Sequence, residues 1–249
     1  MSDQLTFGLI GQRIGYSFSP AFFGHFFAKN GWKHQYQLFD CQSIEKVKTV
    51  LHDDAVFGFN VTIPYKKQII PLLSELTPAA ESIGAVNVVY RNKNGLLVGD
   101  NTDFIGFRQS LLETLVHWPQ MAFVLGTGGA SLAVAYVLEQ LRIPFFWVSR
   151  TASAHPQVLH YDDLLDIDFP DAVLWVQTTP LGSEHATDQC PAIPYEKITN
   201  QHSCFDLVYQ PEKTLFLMKA QQKGATIQNG SNMLHYQALA AWNLWAASM

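Results

Sequence analysis

Short apolar runs bounded by turn residues alternate along this chain with stretches whose apolar positions recur every three to four residues. That alternation predicts an α/β protein built on parallel strands. In the first part the strands fall at Thr6–Ile10, His34–Phe39, Phe57–Val61 and Ala85–Tyr90. Ser19-Pro20 reads as a helix N-cap followed by proline at the first helical position, and Gly31 as the stop of that helix. Ile44, Val47 and Leu51 share one helical face behind Ser43. Asn92-Lys93-Asn94-Gly95 reads as a hairpin turn into an antiparallel element at Leu96–Gly99.

The second part repeats the pattern more cleanly. Strands are predicted at Met121–Leu125, Phe145–Val148, Ala172–Gln177, Cys204–Val208 and Ala225–Gln228, with helices over Ala130–Leu141 and Thr214–Lys223, the latter stopped by Gly224. A boundary near Asp103–Gly106 gives a first domain of residues 1–103 and a second of 104–230, and the final helix, 231–249, is expected to cross back onto the first. No internal repeat is apparent.

Composition narrows the function. A chain of 249 residues with 48% hydrophobic and 15% charged residues is an ordinary globular sequence, long enough for two modest domains. With 16 Lys+Arg against 21 Asp+Glu and no basic run, nothing suits a row of nucleic-acid phosphates. Cys41, Cys190 and Cys204 are odd in number and far apart, so they read as reduced thiols of a cytoplasmic protein. The nine histidines lack ligand spacing, and no metal is expected. The first residues, Met-Ser-Asp-Gln-Leu, lack the basic-then-apolar order of a secretory signal, and no apolar stretch is long enough to span a membrane. The apolar segment from Ala238 to Met249, with Trp242 and Trp245, reads as a docked helix.

Gly126-Thr127-Gly128-Gly129-Ala130-Ser131 follows a predicted strand and opens a predicted helix, the context of a dinucleotide loop. Glycines there admit a pyrophosphate, and the helix N-terminus offers free amides to it. Ser131 occupies the usual third-glycine place, and the same residues also fit a tight βα turn that binds no nucleotide. The next strand runs into Ser149-Arg150-Thr151, without the acidic residue that an NAD site offers the ribose. Arg150 suits the extra phosphate of NADP, where a charge-assisted bond contributes roughly 1.5–3 kcal/mol. A solvated surface arginine is its plainer reading.

Five first-domain segments sit at or just after predicted strand ends: Gly8-Leu9-Ile10-Gly11, Tyr16-Ser17-Phe18-Ser19-Pro20, Asn60-Val61-Thr62-Ile63-Pro64-Tyr65-Lys66-Lys67, Gly84-Ala85-Val86-Asn87 and Gly99-Asp100-Asn101-Thr102-Asp103. With the Gly126 loop and the segment from Asn229 to Ala238, they make a set that closely resembles the shikimate dehydrogenases, in matching order over nearly the whole chain. The resemblance implies a substrate-binding N-terminal domain, a Rossmann-type NADP-binding domain and a cleft between them. The reaction implied is reversible reduction of 3-dehydroshikimate to shikimate by NADPH, a step of aromatic amino-acid biosynthesis; the chain is expected to work as a monomer or homodimer.

Position by position, the resemblance makes Ser17 and Ser19 ligands of the substrate carboxylate, and places Thr62, Lys66, Asn87, Asp103 and Gln237 around the ring hydroxyls. Lys66 and Asp103 resemble the family's catalytic pair. Tyr209 resembles a tyrosine lining the substrate end near the nicotinamide, and Gly126 to Ala130, Ser149 to Thr151 and Gly230 fall on the cofactor side. The chemistry is coherent by itself. Hydride delivery to a ketone leaves negative charge on oxygen, so a cation that can donate a proton lowers the barrier, and a carboxylate beside it orients the ring.

Plainer readings stand beside these. Ser19 and Asp103 also fit helix caps, Lys66 and Lys67 a solvated helical turn, Asn87 a strand-end amide serving the backbone, and Tyr209 a strand-end aromatic. The chain also departs from the family. Arg13 stands for the common proline and Tyr16 for histidine in the entry loop. Ser149 stands for asparagine, no second Lys or Arg follows Arg150 through His155, and Gln177 and Ser183 stand for asparagine and methionine. These departures leave open a quinate/shikimate dehydrogenase with NAD or dual cofactor use. A non-catalytic nucleotide-binding sensor is the alternative from another class.

Overall fold

The computed structural model describes residues 4–249; Met1, Ser2 and Asp3, where the stretch read above for a secretory signal begins, lie outside the described residues. The chain divides into two compact units, one holding the residues up to Thr102 together with Ala238–Met249, the other Asp103–Gln237.

The first unit carries β1 (Thr6–Gly11), α1 (Ser19–Lys29), β2 (Gln35–Asp40), α2 (Ile44–Leu51), β3 (Val56–Val61), α3 (Tyr65–Gln68), β4 (Glu75–Leu76), α4 (Pro78–Ile83), β5 (Val88–Arg91) and β6 (Leu97–Asp100). Its sheet runs β2-β1-β3-β5-β6-β4. It is mixed: the hairpin at Asn92–Gly95 makes the expected antiparallel pair of β5 with β6, and β5 also lies antiparallel to β3, where the alternation predicted parallel strands. Neighbouring positions such as Val88 and Val89 feed two apolar clusters, one with Val47, Leu51, Phe59 and Ile69, the other with Phe7, Phe23, Phe27, Trp242 and Trp245. Alternation of side chains across a pleated strand produces that division.

The second unit carries α5 (Asp103–Thr114), β7 (Met121–Leu125), α6 (Gly129–Gln140), β8 (Phe145–Ser149), β9 (Val158–His160), β10 (Val173–Gln177), β11 (Ser203–Asp206), α7 (Leu215–Gln222), β12 (Thr226–Gln228) and the start of α8 (Ser231–Ser248). Its order, β12-β11-β10-β7-β8-β9, is parallel at every pairing. This is the doubly wound order, and the fold is the expected α/β one with a Rossmann-type second domain. Residues of α8 from Ala238 onward belong to the first unit, where Ala238, Ala241, Trp242 and Trp245 join its aromatic cluster.

Several predicted bounds move for local reasons. Helix α1 opens at Ser19, so Ser19 is not its N-cap and Pro20 is not its first residue; Phe18 takes the cap position. Strand β5 begins at Val88 rather than Ala85, because the Ala85 carbonyl accepts from the Asn101 amide and Val86 N–H donates to the Lys66 carbonyl. Strand β11 stops at Asp206 rather than Val208, since the Asp206 side chain takes the Val208 N–H. The break between the units falls after Gln237, inside α8, where helical bonding runs on without a loop. Among the described residues no helix is long and apolar enough to cross a membrane, and no cluster of three His, Cys, Asp or Glu side chains is arranged to hold a metal.

Candidate active site

In the first unit the strand order reverses direction between β1 and β3, and the segments leaving these two strands carry the predicted substrate residues Ser17, Ser19, Thr62 and Lys66. After β1, the Ser17 hydroxyl accepts the Ser19 N–H at 3.2 Å and opens α1. Ser19 is thereby spared the capping role, and its hydroxyl hydrogen-bonds the Tyr36 phenol, which burial holds far above the ordinary tyrosine pKa. Tyr36 donates to Asn60 Oδ1 at 2.8 Å, and Asn60 Nδ2 reaches the Asn87 carbonyl at 3.4 Å. Asn87 Oδ1 accepts the Thr102 N–H at 2.6 Å. A continuous polar chain therefore links Ser19 to the residue before Asp103, through Tyr36 and Asn60, which the sequence reading did not single out.

After β3, Tyr65 N–H donates to the Thr62 carbonyl at 2.9 Å and starts the short α3. Tyr65 is buried and donates its hydroxyl to the Cys41 carbonyl at 2.6 Å, while the Lys66 carbonyl accepts Val86 N–H at 2.8 Å. Lys66, singled out in the sequence over its neighbour, is half-buried, and Lys67 is exposed. Arg13, at the proline position of the entry loop, has a left-handed φ of 56° and donates its N–H to Asp40 at 2.9 Å. Proline, with φ fixed near about −65° and no N–H, cannot occupy this backbone.

In the second unit Asp103 is the first residue of α5, buried to 6% exposure. One turn later, Gly106 lies against α8: a Cβ there would collide with the Met233 carbonyl and stand 3.0 Å from the Gln237 Cβ. This close crossing sets Gln237 against α5, one turn from Asp103.

Of the residues predicted for the cofactor, 126–130 follow β7 where the strand order of this unit reverses, between β7 and β10, while 149–151 lie at the end of β8 and Gly230 just after β12. Gly126 has φ of 113°, and space is open where a Gly128 Cβ would point, ahead of the N-terminus of α6. Ser131, in the third-glycine place, is buried and donates to the Gly128 carbonyl at 2.7 Å, so it closes the first turn from inside. Across the reversal Thr178 donates its hydroxyl to the Leu125 carbonyl at 2.8 Å, and the buried Gln177 side chain accepts from Thr179 and donates to the Leu181 carbonyl. At the end of β8 the Ser149 hydroxyl accepts Thr151 N–H, and Arg150 is exposed with its carbonyl 3.2 Å from His160 Nε2. Burial pushes the neighbouring Tyr161 phenol up to about 12, with the Arg150 cation pulling the other way. An open glycine turn, free helix-end amides and a cation at the β8 end fit a phosphate-bearing dinucleotide.

Asp206, at the end of β11, is the most perturbed carboxyl of the unit. Burial lifts it from 3.8 to about 7, against the hydrogen bonds from Thr214 and Val208. A carboxyl whose folded pKa is raised contributes stability that is fully present below its unfolded pKa and is lost as pH rises through the folded one. Relative to Asp206→Asn, the wild-type protein is expected to lose melting temperature between about pH 4 and pH 8. Melting curves of the two proteins that stay parallel across that range would refute the assignment.

The second unit is a dinucleotide-binding Rossmann domain, and its union with a mixed α/β unit whose own reversal point gathers polar loops defines a two-domain α/β dehydrogenase. Residues 9–89 match the shikimate dehydrogenase substrate binding domain. The chain is 38% identical to a shikimate dehydrogenase (NADP(+)) of a Nostoc species, over 96% of this chain and 89% of that protein. It is 35% identical to a shikimate dehydrogenase (NADP(+)) of Desulforamulus reducens, over 96% of this chain and 88% of the other. The crystal structure of a Thermus thermophilus shikimate 5-dehydrogenase, in complex with NADP(H) and shikimate, superposes with a TM-score of 0.85 at 29% identity, covering 98% of this chain and 94% of that one. The chain belongs to the shikimate dehydrogenase family.

Proposed function

We propose that this chain catalyses the reversible NADP-linked reduction of 3-dehydroshikimate to shikimate in the cytoplasm, as a monomer or homodimer that takes small molecules rather than nucleic acid or membrane. The observation that carries the reading is the open glycine turn at the reversal of a doubly wound sheet, with Arg150 at the adjoining strand end, in a chain related along 96% of its length to NADP(+)-named shikimate dehydrogenases. NADPH, when bound by the Gly126 to Ala130 turn, Ser149 to Thr151 and Gly230, supplies the hydride.

The chain's own residues do the rest. The Ser17 hydroxyl donates to the substrate carboxylate, Ser19 joins it by turning its one O–H from the Tyr36 phenol, and Thr62, Asn87 and Gln237 give the ring hydroxyls partners in place of lost water. Asp103 accepts a ring hydroxyl and fixes the ring's orientation. Lys66 stabilises charge developing on the carbonyl oxygen and donates the proton it requires; in the reverse direction it takes the proton back.

Steady-state turnover of shikimate and quinate with NADP+ and NAD+ tests the reading, with shikimate and NADP+ expected to be the best pair. A large preference for quinate with NAD+ would overturn it in favour of the quinate-active relative, and absence of turnover with every pair in favour of the sensor. Arg150→Ala is expected to weaken NADP+ binding by about 10- to 100-fold and NAD+ binding little. Equal losses for both cofactors would remove Arg150 from the 2′-phosphate site.

A further inference from the structure

The segment between β11 and α7 carries Tyr209, and one side chain fastens both of its ends. Asp206, with 0% exposure, accepts Val208 N–H on Oδ1 at 2.9 Å and the Thr214 hydroxyl on Oδ2 at 2.6 Å. Thr214 in turn accepts Leu217 N–H at 3.4 Å and caps α7. The carboxylate thus joins the residue before Tyr209 to the helix cap five residues after it. Neighbouring strand ends clamp the same segment: Leu207 N–H donates to the Gln177 carbonyl at 2.9 Å and Gly230 N–H to the Val208 carbonyl at 3.1 Å. Any Cβ on Gly230 would strike the Leu207 carbonyl, so only glycine fits there.

Capping alone does not account for Asp206. Ser43 caps α2 beside the exposed Glu45 carboxylate and Thr77 caps α4 beside the half-buried Asp100, whereas Asp206 is fully buried, where a carboxyl is costly to keep. What Asp206 adds is a fixed path for the chain on both sides of Tyr209.

We propose that Asp206 and Thr214 form a positioning pair for hydride transfer, acting on turnover through the placement of Tyr209 and not through cofactor binding. The proposal rests on the reading of Tyr209 as a residue at the nicotinamide end of the substrate.

The test compares Thr214→Val, Thr214→Ser, Tyr209→Phe and the double variant Thr214→Val/Tyr209→Phe in the full chain, measuring kcat and KM for shikimate and Kd for NADP+. Thr214→Val is expected to lower kcat/KM for shikimate by about 10-fold, the scale of one lost buried hydrogen bond, with NADP+ Kd within about twofold. Thr214→Ser restores the hydroxyl and the activity. In the Tyr209→Phe background the same Thr214→Val change costs less than about twofold, because its target is already gone. Should Thr214→Val not fold, Asp206→Asn serves in its place: it keeps an oxygen for Val208 and loses the acceptor for Thr214. Wild-type kinetics in the folded variant, or an equal loss on both backgrounds while Tyr209→Phe itself is impaired, overturns the positioning pair alone. Wild-type kinetics in Tyr209→Phe overturns the reading of Tyr209, and the pair with it.

Discussion

Replacing Lys66 by alanine is expected to lower kcat for 3-dehydroshikimate reduction by about 10²-fold or more, the scale of losing a general acid that also balances developing charge. The fold should survive, because α3 is anchored by other atoms. The Tyr65 hydroxyl bonds the Cys41 carbonyl, and the Lys66 backbone carbonyl, retained in the variant, receives Val86 N–H. Lys66→Arg separates the two contributions of the ammonium: it keeps a positive charge on a group that does not release its proton near neutral pH. Intermediate activity in Lys66→Arg would mean that charge matters more than proton donation. NADPH oxidation by 3-dehydroshikimate is the measurement, with NADP+ titration as the control for cofactor binding. An unchanged rate in Lys66→Ala would remove Lys66 from the mechanism.

Trp245→Ala should destabilise the first unit by about 3–5 kcal/mol, the range for deleting a large buried aromatic. Trp245 is fully buried; its ring centroid lies 4.8 Å from Phe7 and 5.4 Å from Phe23, and its Nε1–H donates to the Val89 carbonyl at 3.2 Å. The variant therefore leaves a cavity in this core and removes the indole's hydrogen bond to β5. Gly58, on β3, has no room for a Cβ because the Trp245 indole occupies that space, which fixes the strand and the indole against each other. Trp118→Ala supplies the contrast: this tryptophan is 56% exposed, and its removal should change stability by no more than about 0.5 kcal/mol. Denaturant unfolding of both variants decides the matter. A cost below about 1 kcal/mol at Trp245 would mean that the C-terminal helix is not part of the first unit's core.

The cofactor half was the more legible in sequence. The apolar run Met121–Leu125 coincides with β7, because a strand covered on both faces is apolar at every position. The glycines after it mark the turn for reasons internal to the backbone. The substrate half was less legible. Two-residue β4 is too short for any periodicity, and Ala85 to Asn87, apolar enough to resemble strand, are a loop held by hydrogen bonds from distant residues. Ser19 looked like a cap from its place before Pro20, whereas Ser17 opens the helix and leaves the Ser19 hydroxyl to Tyr36. Asp206 and Thr214 lie eight residues apart with nothing in their spacing to mark them.

The sequence alone determined the alternation of strands and helices, the glycine turn and the residue types available for hydride chemistry, since these follow from local periodicity and from what each side chain can donate or accept. The tertiary structure decided the antiparallel lay of β5 against β3, the aromatic partners that Trp242 and Trp245 meet in the first unit and the buried chain from Ser19 through Tyr36 and Asn60 to Asn87. Each of these depends on which residues far apart in the chain come within hydrogen-bond or van der Waals reach. No local pattern encodes that, because long-range pairing is set by how the elements together bury their apolar faces while satisfying every buried polar group.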